Sequence, residues 1–279
     1  NFSINVDANP LLQDVAVSLT KEVCDPTVSD TCRSMYDVML ERDVTKHENG
    51  IPFCDNLSFG SDYVSFYHFI GVSCADWSYI FGGLYGIRRS YPVYHSIHDS
   101  YYWIKTFVDP EFKTHLAVTK YAGIFLLELA DVELLPFNTT TYAELLQKKS
   151  TIIEKSKHLK THSISTAAFS RAVKNFAKVA RQFESSKSKH KPESYRTLND
   201  QMIQLEKAFI QTVEVNDHKQ LRHVIYGPKL ANLYGGIYFP RVHYATMKAE
   251  KTGDWKSVEK EISLLTFAIN SASRVLKPI

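Results

Sequence analysis

Apolar residues recur at helical spacing in three long stretches of the second half of the chain. Phe169, Val173, Phe176, Ala180 and Phe183 form one stripe. Leu198, Met202, Leu205 and Phe209 form a second, and Val258, Ile262, Leu265, Ile269, Ala272 and Leu276 a third. Steps of three and four place each set on one helix face, and three such faces joined by polar loops specify a helical bundle. From Thr141 on the pattern predicts helix nearly throughout, with Ser185 to Pro192, rich in Ser and Lys, as a solvated connection. Surplus apolar surface on such a bundle needs a cover, and a symmetric partner is the commonest one. The first half is patterned differently. Asn9-Pro10 is a helix start signal, followed by Leu12, Val15 and Leu19. Thr27 to Asn56 is polar and turn-rich, a surface loop with a short helix near Met35 to Leu40. Gly60-Ser61-Asp62 precedes an amphipathic helix over Tyr63 to Ile70, capped by Ser61 or Asp62. Trp77 to Phe81 reads as a buried strand, and a second short strand lies near Val6. Gly82 to Ser90 is a loop. Asp109-Pro110 opens a helix through Leu129 that is apolar on nearly every face and so enclosed on several sides. Leu134-Leu135-Pro136-Phe137 is an extended linker. The expected architecture is α/β over 1–132 followed by an all-α bundle over 133–279. The sheet is completed by residues outside this chain, which predicts an exposed sheet edge or apolar face.

Composition narrows the class. At 279 residues and 44% hydrophobic, the chain buries a substantial core in one large domain or two modest ones. A formal charge of +3 gives no reason to expect nucleic acid or an anionic membrane. No apolar run reaches the roughly eighteen residues that span a bilayer. The chain opens at Asn1 without an initiator Met or a signal-peptide pattern, as an excised or mature segment does. Cys24, Cys32, Cys54 and Cys74 form no C-x-x-C pair, against a zinc ribbon. Cys24 and Cys32 bracket a short polar stretch and are either a disulfide or free thiols. Asn1, Asn56 and Asn138 head N-x-S/T sequons, weak support for a secreted or lumenal setting.

Three places carry candidate chemistry. In Ser90-Tyr91-Pro92-Val93-Tyr94-His95-Ser96, Pro92 fixes the backbone while Tyr91 and Tyr94 supply apolar walls with hydroxyl tips. A neutral imidazole at His95 suits Zn²⁺, with a hydrogen-bonded structural histidine as the alternative. His98 lacks the H-E-x-x-H context and is structural. Gly60-Ser61-Asp62 combines close backbone approach with a helix start that favours an anion; simple capping is the plainer reading. Asn232-Leu233-Tyr234-Gly235-Gly236 reads as an irregular loop presenting a phenol to a cleft.

Taken in order, Gly60-Ser61-Asp62-Tyr63-x-x-Phe66, Tyr91-Pro92-x-Tyr94-His95-Ser96, Asp109-Pro110-x-Phe112, Leu198-Asn199-Asp200-Gln201 and Arg222-His223-Val224-Ile225-Tyr226 resemble the C-terminal part of the glutamate carboxypeptidase II and transferrin receptor family. The resemblance covers essentially the whole chain and is nearer the peptidase branch, the aminopeptidase-like or NAALADase-like members. It implies a type II membrane glycoprotein, anchored by an N-terminal segment absent here and displayed at the cell surface or secreted. It also implies a pair of zinc ions bridged by a carboxylate and held by two histidines and further acids. His95 matches the last of these ligands, and Tyr94 a tyrosine that hydrogen-bonds the tetrahedral intermediate. Gly60 and Ser61 match residues of the substrate cleft, and Asp62 an acid that buttresses it. Tyr234 matches a tyrosine gripping the substrate's terminal carboxylate. The C-terminal helices match a dimerisation domain, implying a homodimer. A non-catalytic, transferrin-receptor-like dimeric ectodomain is the alternative.

The departures are specific. Glutamate-specific members carry lysine where this chain has Leu233, arginines near Asp76 and Ser78, and commonly Asn where Ser61 stands. An anionic side chain loses charge-assisted partners at each place, so the expectation is a peptidase of neutral or apolar preference. The remaining metal ligands and the general-base glutamate are expected ahead of Asn1, so one imidazole alone is expected to bind zinc poorly.

Overall fold

The computed structural model describes residues 2–28, 32–42, 51–52, 54–81, 91–212 and 219–277. The predicted Gly82 to Ser90 loop and the Asn1 sequon lie outside these residues. The chain divides into two compact units. One comprises Asn1–Ala8, Gln13–Asn56 and Ala75–Val132; the other comprises Asn9–Leu12, Leu57–Cys74 and Glu133–Ile279.

The first unit contains β1 (Phe2–Ala8), α1 (Gln13–Leu19), α2 (Met35–Arg42), β2 (Ala75–Phe81), α3 (Tyr101–Trp103) and α4 (Lys113–Ala130). β1 and β2 pair antiparallel, Val6 opposite Trp77. Ile4, Val6 and Ala8 are buried, the period-two face of a strand. α1 and α2 pack on β1, and α4 packs on β2 and α1. Trp77 meets Tyr121 and Phe125 of α4, each at 5.2 Å between ring centroids. The Tyr121 hydroxyl donates to the Ala16 carbonyl at 2.7 Å. Cys24 and Cys32 form a disulfide, which resolves the open alternative.

Several expectations for this half need correction. The helix after Asn9-Pro10 starts only at Gln13, because the Asn9 side chain is engaged in the second unit rather than capping. β2 is half-buried rather than buried. Asp109-Pro110 lies in a turn, and α4 begins at Lys113 after Phe112 adopts a left-handed φ of 53°. Asp109 still serves that helix end: it accepts from the His115 amide at 3.0 Å, the His115 ring at 2.7 Å and the Thr114 hydroxyl at 2.5 Å. Burial raises the Asp109 carboxyl, but these donors and the His115 charge outweigh it and bring the group to about 2. α4 buries Ala117, Tyr121 and Phe125 on one side only. Leu116, Leu126 and Leu127 are exposed, together with Ile97, Tyr101, Tyr102 and Phe107.

The second unit contains α5 (Thr139–Glu154), α6 (Lys157–Thr161), α7 (Ala167–Lys187), α8 (Tyr195–Lys207), β3 (Tyr226–Lys229), β4 (Asn232–Tyr238), α9 (Pro240–Thr252) and α10 (Trp255–Val275). α7 packs between α5 and α10, and α10 also meets α8 and α9. The three apolar stripes are the buried faces of α7, α8 and α10. Asn138 caps α5, its side-chain oxygen accepting from the Thr140 amide at 2.8 Å. Arg241 of α9 and Glu261 of α10 form a buried forked ion pair, 2.7 and 3.3 Å.

Helix is not continuous after Thr141. β3 and β4 form an antiparallel hairpin, and Asn232 to Gly236 is strand rather than irregular loop. The reason is steric: a Cβ on Gly236 would stand 2.1 Å from the Tyr226 hydroxyl oxygen and 2.2 Å from its Cζ, so glycine lets the two strands close. Tyr63 to Ile70 also departs from an ordinary amphipathic helix, since Ser65–Phe69 is π-helical. The wider turn buries consecutive Tyr67 and His68 while Phe66 and Ile70 stay exposed, and no side chain caps it. Overall the described residues are mostly helical with two small sheets.

Candidate functional site

The Tyr94–His95 pair lies in the first unit, on a run of tight turns over residues 92–98. Val93 anchors these turns: its carbonyl accepts from the Ser96 amide at 3.0 Å and the Ser96 hydroxyl at 2.7 Å. His95 has a φ of 61°. Left-handed backbone is uncommon outside glycine, though histidine is enriched there, and such residues cluster at functional sites. The imidazole is exposed and stacks on Tyr94, ring centroids 3.8 Å apart. Tyr91 meets Tyr94 edge-on at 5.4 Å and donates its hydroxyl to Asp99 at 2.6 Å. That hydrogen bond chiefly, with burial and the Asp99 charge, pushes the Tyr91 phenol up to about 12. The site therefore offers one imidazole and one phenol, both accessible. His98 is exposed on the same run of turns, not on a helix with His95.

Gly60, Ser61, Asp62 and Tyr234 lie in the second unit. Gly60 and Tyr234 are brought together: a Cβ on Gly60 would stand 2.5 Å from Tyr234 Cδ1. The glycine lets the ring lie on the backbone. Tyr234 is 57% exposed, with its amide held by the Asn232 side chain at 3.1 Å. Ser61 and Asp62 are exposed. The Ser61 carbonyl accepts from the Val64 amide at 3.2 Å, so its backbone rather than its hydroxyl starts the turn.

The second unit also holds a buried polar network that sequence reading missed. Glu206, fully buried, accepts from Asn9 Nδ2 at 2.6 Å, the Tyr142 hydroxyl at 2.6 Å and His223 Nε2 at 2.8 Å. His223 Nδ1 accepts from the amides of Ile225 and Tyr226 at 3.3 and 3.2 Å. That acceptor role fixes the neutral tautomer with the proton on Nε2. Burial first, then the Glu206 charge, holds the Tyr142 phenol well above its usual range, so it stays a donor. His68 Nε2 donates to the Ser58 carbonyl at 2.9 Å, and its ring lies 5.9 Å from that of His223. Burial, then His223, lowers His68 to about 3. One signal was available: Glu206 falls four residues after Met202 on the apolar stripe of α8, where a carboxylate needs partners.

The remaining candidates are quieter. The Cys54 thiol is raised by burial and then by Asp7; Cys74 is raised to about 11 by burial and then Glu206. Neither is a reactive thiolate. Asn56 is 5% exposed, which argues against a glycan there, whereas Asn138 is half-buried. A groove of about 580 Å³ in the first unit lies between residues 22–26 and α4, and contains neither Tyr94 nor His95. Among the described residues no group of three His, Cys, Asp or Glu side chains is placed to hold a metal. No helix among them is long and apolar enough to cross a membrane.

Residues 157–277 match the transferrin receptor-like dimerisation domain. The whole chain is 30% identical over 294 residues to a Rattus norvegicus protein named aminopeptidase NAALADL1, covering 38% of it. An Arabidopsis thaliana protein named probable glutamate carboxypeptidase LAMP1 is 35% identical over 222 residues, 78% of this chain and 31% of that protein. A Caenorhabditis briggsae glutamate carboxypeptidase 2 homolog is 24% identical over 306 residues, again across the whole chain and 39% of its relative. The chain thus spans about two fifths of the length of these curated relatives. With the motifs in order along its full length, the chain belongs to the glutamate carboxypeptidase II and transferrin receptor family.

Proposed function

We propose that this chain is the C-terminal portion of a zinc-dependent ectopeptidase that hydrolyses di- or oligopeptides without strict preference for glutamate. In this reading 1–132 ends the peptidase domain and 133–279 forms the dimerisation domain, through which two copies associate. The observation that carries it is the exposed His95 imidazole, stacked on Tyr94 and held by a left-handed turn. Its fit to zinc is partial. An accessible neutral imidazole is a suitable donor, but the described residues hold no group of three His, Cys, Asp or Glu side chains placed to complete a site, so in this reading the other ligands come from the rest of the protein.

Zinc, when bound, activates water and polarises a carbonyl at neutral pH. This chain's own residues do the remaining work. Tyr94 offers its phenol proton to the oxygen on which negative charge develops. Tyr234 donates to the substrate's terminal carboxylate from its seat on Gly60, and Ser61 lines the same strip of backbone. Asp62 supports that strip. Leu233, Asp76 and Ser78 add no cation, which favours neutral or apolar side chains. The disulfide fits an oxidising compartment, and the setting we propose is the cell surface or extracellular space.

The test is zinc content and dipeptide hydrolysis of the full-length protein with and without His95→Ala. We expect zinc to fall and hydrolysis to drop at least about a hundredfold, since even outer-shell changes cost 10–100-fold. Unchanged zinc and unchanged hydrolysis would leave the non-catalytic dimeric ectodomain as the better reading.

A further inference from the structure

Tyr234 has no wide support of its own. It is more than half exposed, on a short hairpin. Yet contacts joined by two short backbone links lead from it into the core and back. Tyr234 lies on Gly60. Gly60 is two residues from Ser58, whose carbonyl is held by His68. The His68 ring neighbours His223. His223 holds the amides of Ile225 and Tyr226, where β3 starts. The Tyr226 ring fills the space over Gly236, two residues from Tyr234. Glu206 stands behind His223 and fixes its tautomer.

We propose that Glu206 and His223 are positioning residues for Tyr234, setting the height of its phenol over Gly60 and hence the grip on the substrate's terminal carboxylate. The inference rests on the reading of Tyr234 as that grip. A bundle needs no carboxylate at this point, and an apolar replacement for the whole network is commonly neutral or stabilising. What the ion adds is direction. It orients one imidazole, and that imidazole accepts from two consecutive amides in a geometry only the neutral ring permits. An alanine at Glu206 leaves His223 Nε2, Tyr142 and Asn9 without their acceptor. A glutamine keeps one oxygen for His223 and Tyr142. Its amide then finds Asn9 Oδ1, which is buried without a hydrogen-bond partner among the described residues.

The experiment uses the full-length protein and dipeptides with a free terminal carboxylate. Glu206→Ala and His223→Ala are expected to raise KM about tenfold while kcat stays within about threefold, the signature of lost uniform binding. Glu206→Gln is expected to restore KM to within about threefold of wild type. On a Tyr234→Phe background, Glu206→Ala is expected to add less than about twofold, because residues acting through one contact are not additive. Hydrogen exchange supplies a second readout: in the alanine variants the amides of 232–238 exchange at least about tenfold faster while those of α7 and α10 do not change. Independent KM effects, a loss of kcat of the same size, or faster exchange spread evenly over α7 and α10 would overturn the proposal. If the wild-type protein hydrolyses no dipeptide, the peptidase reading fails, and the exchange data still decide whether Glu206 positions the hairpin: unaltered exchange at 232–238 overturns it.

Discussion

His68 is a titratable base kept neutral inside the second unit, with His223, Tyr67 and Tyr226 rings around it. Its proton affinity is lowered to about 3 by burial and then His223, whereas an unfolded histidine titrates near 6.5. Between those values the unfolded chain binds a proton that the native chain refuses. The contribution of His68 is therefore fully present above about pH 6.5 and lost as pH falls toward 3, by roughly 1.4 kcal/mol per pH unit. His68→Gln keeps a donor for the Ser58 carbonyl but does not titrate. Denaturant midpoints measured from pH 7.5 to 4.5 are expected to fall less steeply in this variant than in wild type; parallel slopes would show that His68 is not the group responsible. At this scale the sequence displayed what faces outward better than what is buried. Tyr94, His95 and Tyr234 stand out because proline, glycine and aromatic neighbours mark their positions. Glu206 is marked only by its place on the apolar stripe of α8 and His68 by nothing nearby; the partners of Glu206 lie as far as 197 positions away along the chain.

Helix periodicity carried most of the element-level reading, because α7, α8 and α10 bury faces that repeat by threes and fours. The hairpin escaped it. β3 and β4 are short, and Gly236 is there to admit a ring from the facing strand, which is a tertiary fact. The π-helical turn at Ser65–Phe69 escaped for the same reason, as local spacing does not announce that Tyr67 and His68 are both required inside. The join between α9 and α10 offers a sharper test. Arg241 and Glu261 are both buried and bonded through two nitrogens. Removing one partner strands the other charge, at a cost of about 3–5 kcal/mol. Glu261→Ala is thus expected to lower the unfolding free energy by that amount. The double change Arg241→Met with Glu261→Leu is expected to cost less than the single one, because no charge is left unpaired. Urea titration checks both, and a double variant weaker than Glu261→Ala would refute the argument.

On the scale of the whole molecule, the two units pose opposite problems. The second closes a core around α7 and α10. The first has a two-stranded sheet and leaves Ile97, Tyr101, Tyr102, Phe107, Leu116, Leu126 and Leu127 exposed. Exposed apolar side chains that gather into one patch ordinarily mark an interface. The relatives are more than twice as long as this chain, and on our proposal the preceding part of the peptidase domain is what covers these side chains. The same reasoning explains why α4 is apolar nearly all round yet buried on one side. Residues 1–279 prepared alone are then expected to bind a hydrophobic dye several times more strongly per molecule than the full-length protein, and to associate as concentration rises. Ile97→Lys with Leu126→Lys is expected to reduce both effects in the isolated chain while impairing assembly of the full-length protein. Equal dye binding by the two forms would mean that the remainder of the protein covers something else. The proposal also puts zinc ligands on both sides of the same junction, so the isolated chain is expected to bind zinc far more weakly than the full-length protein, which equilibrium dialysis against the free metal measures directly.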